Sequence, residues 1–393
     1  MIDIKDKKDC CGCTACQSVC PQNAITMKPD IFVFLYPEVD KTNCVECGLC
    51  DKVCAFNDDY DKSLNLSEPI AYAARHKDMA EMMKSRSGGA FAALSDYVLE
   101  NDGIVYGVGY TGHFVVTHKR ATTKEERDEF RGSKYVQSDL TGIFKQVKED
   151  LKNGLMVMFS GTPCQTSGLN SFVGKKLREK LYLVDIVCHG VPGPKMWKDY
   201  LNWLEKKYGS TVESVEFRDK VHFGWKAHVE SYEFEGLTNV ISVKNFTNVF
   251  YKHIALRHSC GNCHFCNFTR PSDVTLADYW GSERTDVSFN ADNKGCSLVF
   301  CNTEKGIELF ETIKDKLNVI PSKLENVMQR NLHQTSEFHP KRQEFEIYYA
   351  KNGIEKAINK YVVECVVLKY YRFVKRCIKK VLKVIGVKRN SFV

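Results

Sequence analysis

Strand-like and helix-like patterns alternate through most of the chain after residue 69. Runs rich in β-branched and aromatic residues predict strands, and apolar residues that recur every three or four positions predict helices. The predicted strands are IAYAAR (70–75), GIVYGVGY (103–110), HFVVTHKR (113–120), LMVMFSG (155–161) and LYLVDIVCHG (181–190). The predicted helices cover residues 87–101, 141–154, 194–209 and 303–317. This alternation indicates an α/β domain with a largely parallel sheet, whose functional loops follow the carboxyl ends of the strands.

The first 57 residues have a different pattern, because cysteine spacing organises them rather than hydrophobic periodicity. The chain has 18 cysteines, and nine of them lie between Cys10 and Cys54. The spacing Cys-x2-Cys-x2-Cys-x3-Cys occurs twice, with a shift of 34 residues between the copies. The segment ITMKPDIFVFLYPEVD separates them; its alternation and its turn residues predict a hairpin.

Each copy of this spacing is typical of a loop that wraps a 4Fe-4S cluster, and with two copies the fourth cysteine of each ligates the other cluster. The first expected ligand set is Cys10, Cys13, Cys16 and Cys54, and the second is Cys20, Cys44, Cys47 and Cys50. The alternative is zinc bound by CxxC pairs, which the repeated eight-cysteine rhythm disfavours. We therefore expect an α+β, ferredoxin-like domain with two clusters, in which Cys11 is a bystander thiol.

Composition and charge exclude several classes of protein. With 43% hydrophobic and 27% charged residues in 393, the chain can build a packed core, which excludes a disordered or fibrous protein. The amino terminus lacks the apolar run of a signal peptide, and no segment has the pattern of a transmembrane helix, so we expect a cytoplasmic protein. The net charge is +7, but residues 360–389 contain ten Lys or Arg against one acid, so the rest sums to −2. A near-neutral body argues against a nucleic-acid partner.

These features divide the chain into four parts. Residues 1–57 form the ferredoxin-type domain, 58–69 a polar linker, 70–359 the large domain and 360–393 a basic tail. In the tail, apolar residues alternate with Lys and Arg in a helix-like way. Such a helix either lies on an anionic membrane surface or packs on the body with its cations solvated. The first alternative would place the protein peripherally at the inner face of the membrane.

Two motifs in the large domain have the composition of a nucleotide-cofactor site. SRSGGAF (85–91) opens a predicted helix, where free N–H groups and the positive end of the helix dipole favour phosphate. RGSKYVQSD (131–139) groups cations, hydroxyls and an aromatic ring. GVGYTG (107–112) matches GxGxxG, but a second strand-like run follows it where a dinucleotide site needs a helix. It therefore predicts a turn.

Cysteines also follow two predicted strands of the large domain. Cys164 follows LMVMFS and Cys188 follows LYLVDIV, at the edge where α/β sheets bind ligands. Further on, the run Cys260-x2-Cys263-x2-Cys266 has metal-like spacing but no fourth cysteine of its own. Cys164 and Cys188 are the natural candidates to complete it. Taken alone, each is equally consistent with an inert buried thiol.

Together these motifs resemble the coenzyme F420 hydrogenase/dehydrogenase beta-subunit family, in its bacterial form with a fused two-cluster ferredoxin domain. The resemblance covers about residues 8–300 and rests on the paired cysteine runs, SRSGGAF, RGSKYVQSD, FSGTPCQ, VDIVCHGVPGP, FRDK with a following GW, and DVTLADYWG. It implies an FAD cofactor and a third 4Fe-4S cluster. By the same resemblance, the ligands of that cluster are Cys164, Cys188, Cys260 and Cys263, with Cys266 as a spare or an alternate.

The resemblance further implies an oxidoreductase. Clusters transfer single electrons, whereas a flavin accepts electrons singly and donates a hydride. We expect electrons to pass from a ferredoxin-like, NAD(P)H-linked or deazaflavin (F420) donor through the clusters to FAD and a small-molecule substrate. The substrate would belong to polysaccharide or cell-envelope metabolism. The expected FAD contacts are Ser87, Gly88, Gly89, Ser133, Lys134, Gln137 and Thr162. His189 is either a proton donor at the flavin or a packing residue. The alternative function is a non-catalytic electron-transfer subunit of a larger redox complex.

Overall fold

An eight-stranded sheet is the centre of the large domain in the computed structural model, which describes residues 1–56 and 61–363. A three-stranded sheet and a separate hairpin accompany it in this part of the chain. The strands are β1 (Ile25–Pro29), β2 (Leu35–Val39), β3 (Asn65–His76), β4 (Ile104–Thr111), β5 (Val115–Ala121), β6 (Val157–Gly161), β7 (Leu181–Ile186), β8 (Val212–Glu216), β9 (Glu230–Phe234), β10 (Ile241–Val243), β11 (Val274–Asp278), β12 (Ser297–Thr303) and β13 (Leu317–Ser322).

The large sheet is mixed, so the expectation of a largely parallel sheet was wrong. Its order is β13-β3-β12-β11-β7-β6-β4-β5, and only the four central strands β11, β7, β6 and β4 are parallel to one another. At one edge β5 returns from β4 through a short turn, which can only make an antiparallel pair. At the other edge β3 is inserted between β12 and β13 and runs antiparallel to both. The parallel pattern is therefore confined to the middle of the sheet.

The five strands and four helices predicted from periodicity are present. The literal GxGxxG motif lies in the β4–β5 hairpin, where Gly112 occupies a left-handed turn position with φ of 50°, as the predicted turn requires. Strand β3 begins at Asn65, inside the stretch predicted as a linker, because that segment pairs with β12. The predicted boundary at residue 359 falls inside the last described helix.

Helices cover both faces of the large sheet and supply its connections. The helices are α1 (Ala15–Val19), α2 (Leu49–Lys52), α3 (Met79–Lys84), α4 (Ala90–Glu100), α5 (Lys124–Asp128), α6 (Ile143–Lys152), α7 (Pro163–Val173), α8 (Pro194–Tyr208), α9 (Lys220–Phe223), α10 (Asn245–Tyr251), α11 (Glu304–Ile313) and α12 (Arg342–Tyr361). Helix α7 starts with a proline at its first turn and a capping box, in which Thr162 and Gln165 satisfy each other's backbone groups. This cap fixes the point at which β6 turns into α7.

The ferredoxin-like domain and the large domain share a hydrophobic core. Phe32, in the loop between β1 and β2, stacks on Phe345 and Tyr349 of α12, with ring centroids 6.5 and 5.4 Å apart. Gly193, the residue before α8, lies directly against this loop. A β-carbon at this position would be 2.6 Å from Phe32, so the close contact requires glycine. The amino-terminal domain is therefore held against the large domain by buried aromatic side chains.

The described residues contain no helix that is both long enough and apolar enough to span a bilayer. The basic tail predicted for residues 360–393 lies outside the described residues, apart from its first four positions. Of these, Val362 is fully buried and packs in the cluster that contains α8 and α12. The membrane-surface hypothesis for the tail stays a prediction.

Candidate iron–sulfur centres

The second predicted ligand set lines one cavity, which we call the outer pocket. Its cysteines are Cys20, Cys44, Cys47 and Cys50, around about 380 Å³ beside the β1–β2 hairpin and the start of α2. Gly48 has a left-handed φ of 71°, which lets the chain turn directly into α2. The backbone N–H groups of Ile2 and Ala24 donate to the sulfurs of Cys50 and Cys20, each at 3.3 Å. Hydrogen bonds to sulfur of this kind tune iron–sulfur clusters, so the donors suit one.

The first predicted ligand set is also brought together, around the loop that precedes α1. It comprises Cys10, Cys13, Cys16 and Cys54, and we call it the first cysteine set. Burial raises the pKa of Cys16, and the neighbouring thiols of Cys13, Cys10 and Cys54 raise it further. Thiols that disfavour one another's ionisation in this way lose their protons when they bind a metal, because the metal's positive charge balances the thiolates. The crossed arrangement, with Cys54 from the second run, is thus compatible with the fold.

A third group of cysteines lines a cavity of about 530 Å³ that we call the central pocket. Its six thiols are those of Cys11, Cys164, Cys188, Cys260, Cys263 and Cys266. Cys164 is the second residue of α7 and Cys188 lies two residues after β7, so the carboxyl edge of two neighbouring parallel strands delivers both. Burial raises the pKa of Cys188, and the thiols of Cys260, Cys164 and Cys263 raise it further. The four ligands implied by the resemblance therefore meet here.

Cys266 also lines this pocket, next to Cys263. The two thiols interact directly, and this contact lowers the pKa of Cys263 and raises that of Cys266. Both side chains are therefore within reach of the same site, and the choice of Cys263 as the ligand rests on the resemblance.

Cys11, expected to be a bystander, lies between the first cysteine set and the central pocket. Its thiol adjoins that of Cys13 on one side and that of Cys164 on the other, and these neighbours together with burial raise the pKa of Cys11 well above its ordinary value. The adjacent Cys11 thiol lowers the pKa of Cys164. On the adjacent turn of α7, a β-carbon at Gly168 would lie 2.7 Å from the Cys13 sulfur. The two cysteine groups are thus separated by a single side chain.

Thr162 and Gln137, two of the predicted cofactor contacts, lie in the central pocket. The Thr162 hydroxyl is 3.2 Å from the Cys164 sulfur. The Gln137 amide nitrogen donates to the carbonyl of Cys11 at 3.0 Å, and its amide oxygen accepts from Arg257 at 2.9 Å. Both side chains therefore contact the cysteine framework.

A buried hydrogen-bonded network supports the Thr162 end of the pocket. Gln165 accepts from the Thr162 backbone at 2.9 Å and donates to Ser138 at 3.0 Å. Ser138 in turn lies 2.9 Å from the ring nitrogen of His118, whose other nitrogen is 3.1 Å from the carbonyl of Ser160. Burial lowers the pKa of His118 to about 4, so this network is built around a neutral imidazole.

His189 lines the central pocket, and both of its ring nitrogens have partners. Nδ1 is 3.1 Å from Oδ1 of Asn331, and Nε2 is 2.6 Å from Nε2 of His253. Burial lowers the pKa of His189 to about 4, and His253 acts in the same direction. The imidazole is therefore neutral near pH 7 with its one N–H engaged by a neighbouring side chain, so the position fits a packing residue better than a charged acid.

The polar groups of Ser87, Gly88 and Gly89 face the protein rather than an open site. The Ser87 hydroxyl donates to the carbonyl of Cys296 at 2.7 Å, and the Gly88 N–H donates to Ser297 at 2.9 Å. Gly88 and Gly89 are required for close packing, since a β-carbon at Gly88 would lie 2.2 Å from a backbone oxygen of β3. Gly89 is the N-cap residue of α4, as expected. The Ser87 hydroxyl and the Gly88 N–H, however, already donate hydrogen bonds to other parts of the protein.

Ser133 and Lys134 lie in the loop before α6, and neither lines the central pocket. The Lys134 ammonium donates to the carbonyls of Glu129 and Arg131, at 2.5 and 2.8 Å. Burial lowers the pKa of Lys134 to about 8. Its donors are thus largely used within its own loop.

A group of charged and aromatic residues that the sequence analysis left without roles forms a second site, which we call the arginine–tryptophan cluster. It comprises Arg86, Arg218, Trp225, Asp278 and Trp280. Arg218 pairs with Asp278, which also accepts from the Trp225 indole at 2.9 Å, and Arg86 donates to the carbonyls of Arg218 and Trp225. The indoles of Trp225 and Trp280 stack with centroids 4.5 Å apart. Only Arg218 pairs with Asp278, so Arg86 is held by carbonyl oxygens and has no ion pair in the described part of the chain.

A third cation ties this cluster to the loop of Ser87. The Lys220 ammonium donates to the carbonyls of Met82 and Ser87, at 2.6 and 3.1 Å. Burial lowers the pKa of Lys220 to about 7, and the charge of Arg86 lowers it further. Within the part of the chain that the structure describes, the Nε atoms of Arg86 and Arg218 are buried without a hydrogen-bond partner. An anionic group would relieve this crowding of cations.

Aromatic rings connect the arginine–tryptophan cluster to the central pocket. His189 contacts Tyr251 with ring centroids 5.4 Å apart, Tyr251 contacts His228 at 5.1 Å, and His228 stacks on Trp280 at 5.4 Å. His189 lines the central pocket, whereas Trp280 belongs to the cluster. The two sites therefore adjoin.

The cysteines are spread around their pockets instead of converging on one point. In residues 1–56 and 61–363, no three His, Cys, Asp or Glu side chains are placed to bind a single metal ion. A cubane cluster attaches its four thiolates to four separate iron atoms and so needs a wider frame than a zinc ion.

Two protein-family models match the chain. The model for the carboxyl terminus of the beta subunit of coenzyme F420 hydrogenase/dehydrogenase matches residues 155–326. The 4Fe-4S dicluster domain matches residues 9–57. The first match spans Cys164 to Cys266, and the second contains all the cysteines of the outer pocket and the first cysteine set.

Similarity to solved structures includes one chain of the xenon-derivatised F420-reducing nickel–iron hydrogenase complex from Methanosarcina barkeri. The identity is 20%, the alignment covers 75% of this chain and 92% of that chain, and the TM-score is 0.45. The comparison with curated proteins found no match. The two family models support the resemblance expected from the motifs: residues 155–326 match the carboxyl-terminal part of the coenzyme F420 hydrogenase/dehydrogenase beta-subunit family, and an amino-terminal 4Fe-4S domain precedes them.

Proposed function

We propose that this protein is an iron–sulfur flavoprotein oxidoreductase. In this proposal it takes electrons from a ferredoxin-like, F420-linked or NAD(P)H-linked donor and delivers them, by way of 4Fe-4S clusters and FAD, to a small-molecule substrate. The observation that carries it is the central pocket, whose thiols contact the first cysteine set through Cys11. The suggested setting in polysaccharide or cell-envelope metabolism rests on the sequence resemblance alone.

A third cluster in the central pocket would use Cys164, Cys188, Cys260 and Cys263. These four thiols adjoin one another, and Cys263 and Cys164 have pKa values lowered by the thiols beside them. Because the pocket is separated from the first cysteine set by one side chain, the two clusters would be in close electronic contact. A cluster at this place would supply single-electron transfer beside the aromatic rings that lead to the arginine–tryptophan cluster.

The residues that fit FAD best are those of the arginine–tryptophan cluster. Arg86 and Arg218 would supply positive charge for the pyrophosphate, and Trp280 and His228 offer flat ring surfaces next to the central pocket. FAD supplies the chemistry that converts single electrons into hydride transfer. Of the seven contacts expected from the sequence, Gln137 and Thr162 lie in the central pocket, and Ser87 borders the cluster through Lys220.

Metal and flavin analysis of anaerobically purified protein tests the proposal directly. Three clusters predict about twelve iron atoms per chain, with matching sulfide, and FAD predicts yellow pigment that is released on denaturation. A content of about eight iron atoms per chain would account for the two amino-terminal clusters only and would contradict the third cluster. Protein that binds no flavin after incubation with FAD would contradict the flavoprotein part.

Matched variants test where the flavin binds. Arg218→Gln and Trp280→Ala should lower FAD retention, because they remove charge and ring surface, and Lys134→Ala should do so only if the sequence-based contact holds. Trp203→Ala is a suitable control, since Trp203 lies on α8 and contacts Tyr200 rather than the cluster. Equal FAD retention in all four variants would exclude the arginine–tryptophan cluster.

The alternative, a non-catalytic electron-transfer subunit, is favoured by one observation. Cys47 of the outer pocket is exposed, which places that ligand set where another redox protein can approach it. Reduced ferredoxin, NAD(P)H and reduced F420 should be supplied singly, with and without candidate substrates. A protein whose clusters are reduced, but which turns over no small molecule under any of these conditions, is a subunit of this kind.

A further inference from the structure

Arg257 is a buried cation between two groups of cysteines. Its side chain is 1% exposed, and its backbone precedes by three residues the ligand candidate Cys260. The backbone N–H of Arg257 donates to the carbonyl of Val191 at 2.9 Å, which anchors it to the loop that follows Cys188. The guanidinium lines the central pocket from this position.

The same guanidinium reaches into the loop of the first cysteine set. Its Nε donates to the carbonyl of Cys10 at 2.8 Å, and one terminal nitrogen donates to the carbonyl of Leu35 at 2.7 Å and lies 3.7 Å from the Cys10 sulfur. The other terminal nitrogen donates to Gln137 at 2.9 Å. The loop is built around this side chain, because a β-carbon at Gly12 would lie 2.7 Å from the guanidinium.

No carboxylate balances this charge within residues 1–56 and 61–363. The hydrogen-bond partners of Arg257 are carbonyls, an amide and a thiol, and its flat face lies over the ring of Tyr36 at 4.4 Å. An isolated buried charge is unfavourable, so a fully buried arginine normally has an anionic partner.

A 4Fe-4S cluster with four thiolates is that partner, since it carries net negative charge and gains one more on reduction. The geometry points to Arg257 as a positioning residue that raises the reduction potentials of the cluster held by the first cysteine set and of the cluster proposed for the central pocket. The second half of this inference rests on the proposed function, whereas the first half requires only the amino-terminal 4Fe-4S domain. Net charge and hydrogen bonds at the sulfurs are recognised determinants of cluster potential.

The outer pocket provides an internal reference. Arg257 is not among its lining residues, and the groups that donate to the sulfurs of Cys50 and Cys20 are backbone N–H groups. Removal of the Arg257 charge should therefore shift the reduction potentials of the other two clusters and leave the potential of the outer cluster unchanged.

The test is a redox titration followed by electron paramagnetic resonance, with the whole chain and its clusters in place. Arg257→Gln removes the charge and keeps hydrogen-bond donors. It should lower the midpoint potential of the first-set cluster by at least a tenfold change in its reduction equilibrium, which is about 59 mV for one electron. Arg257→Lys should move it less, and the outer cluster should not move.

Two further variants keep the test decisive. If Arg257→Gln loses iron, Gln137→Glu keeps the arginine and places a carboxylate against it, and should also lower the potential. Arg75→Gln removes a cation that pairs with Asp292 elsewhere on the chain and should change no potential. Unchanged potentials in iron-replete Arg257→Gln would overturn the inference. An iron content of about eight with a shifted first-set cluster would contradict the third cluster alone.

Discussion

The outer pocket and the central pocket are both lined by cysteines but are assembled in different ways. The outer pocket takes its four cysteines from 31 consecutive residues, Cys20 to Cys50, and one of them is exposed. The central pocket takes its thiols from the amino-terminal loop, from the ends of two parallel strands and from the segment after α10. A local loop can be recognised from spacing alone, whereas a pocket of dispersed residues exists only once the sheet has formed.

The surroundings of the two pockets also differ. The outer pocket has backbone N–H donors to sulfur and no buried cation among its lining residues. The central pocket has a buried arginine, two thiols beside those of the four implied ligands and a supporting network that ends at His118. The outer pocket is therefore accessible from solvent, whereas the central pocket is enclosed by side chains from several elements.

The largest expected effect is on iron content, which should fall in the central pocket and not in the outer pocket. Cys188→Ala should remove about four iron atoms from the central pocket and leave the amino-terminal clusters in place. Cys266→Ala should keep its full iron, because the four ligands that the resemblance implies do not include Cys266. Iron and sulfide analysis of both variants measures this. Full iron in Cys188→Ala together with loss in Cys266→Ala would reverse the ligand assignment.

The next effect concerns stability and pH, and only the central pocket should show it. Burial holds the pKa of His118 at about 4 in the folded chain against an ordinary value near 6.5, so the unfolded chain binds the proton more readily. Stability should therefore fall as the pH decreases from about 6.5 towards 4, by about 2 kcal/mol between pH 7 and pH 5. His118→Gln should lose this part of the pH dependence.

The measurement is denaturant unfolding of both proteins at several pH values in this range, with the difference between them as the quantity of interest. His333→Gln is a matched control, since His333 is exposed. An identical pH dependence in wild type and His118→Gln would show that the network behind Thr162 does not require a neutral imidazole.

A smaller effect is expected from a side chain placed between α7 and the first cysteine set. Gly168→Ala would put a β-carbon 2.7 Å from the Cys13 sulfur, so the loop must shift, at a cost of about 1–3 kcal/mol. Iron should be lost from the first-set cluster before the outer one. Ser167→Ala on the same helix is the control, because its buried hydroxyl has no hydrogen-bond partner among the described residues. Equal stability and iron content in both variants would contradict the close packing.

The smallest expected effect is one of rate. An iron chelator added to the oxidised protein should release iron from the outer pocket first, because Cys47 is exposed while the cysteines of the central pocket are only partly accessible or buried. The time course should have a fast phase of about four iron atoms followed by slower release. Cys47→Ser should remove the fast phase specifically. A single uniform phase would show that exposure of the thiols does not control access.

Local structure was largely predictable from the sequence because its signals are local. The β1–β2 hairpin, the strands β4 to β7 and helices such as α6 and α8 are each indicated by periodicity and end residues within a few positions. The paired cysteine runs likewise indicate their chemistry by their spacing. The order of the sheet was not predictable, because the insertion of β3 between β12 and β13 joins segments more than 200 residues apart.

The residues that complete the sites were missed for the same reason. Arg257 stands three residues before Cys260 with no distinguishing local pattern, and two of its partners, the carbonyls of Cys10 and Leu35, lie more than 200 residues away in the sequence. The motifs around Arg218 and Trp280 were recognised as family segments, but their contact with Arg86 depends on the fold. Cys11 was expected to be a bystander because it does not fit the Cys-x2-Cys-x2-Cys-x3-Cys spacing. That spacing contains no information about a spatial neighbour from a distant part of the chain, such as Cys164.

The amino-acid sequence by itself determined that this is an iron–sulfur protein with an α/β body, since cluster-binding loops and amphipathic elements depend on short-range spacing. Only the tertiary structure decided that Cys11 joins two groups of thiols and that a buried arginine lies between them. It also made the sheet mixed. The physical reason is that burial, charge balance and strand pairing depend on which distant segments become neighbours, and the entropy lost in closing those loops is recovered only by packing in the complete fold.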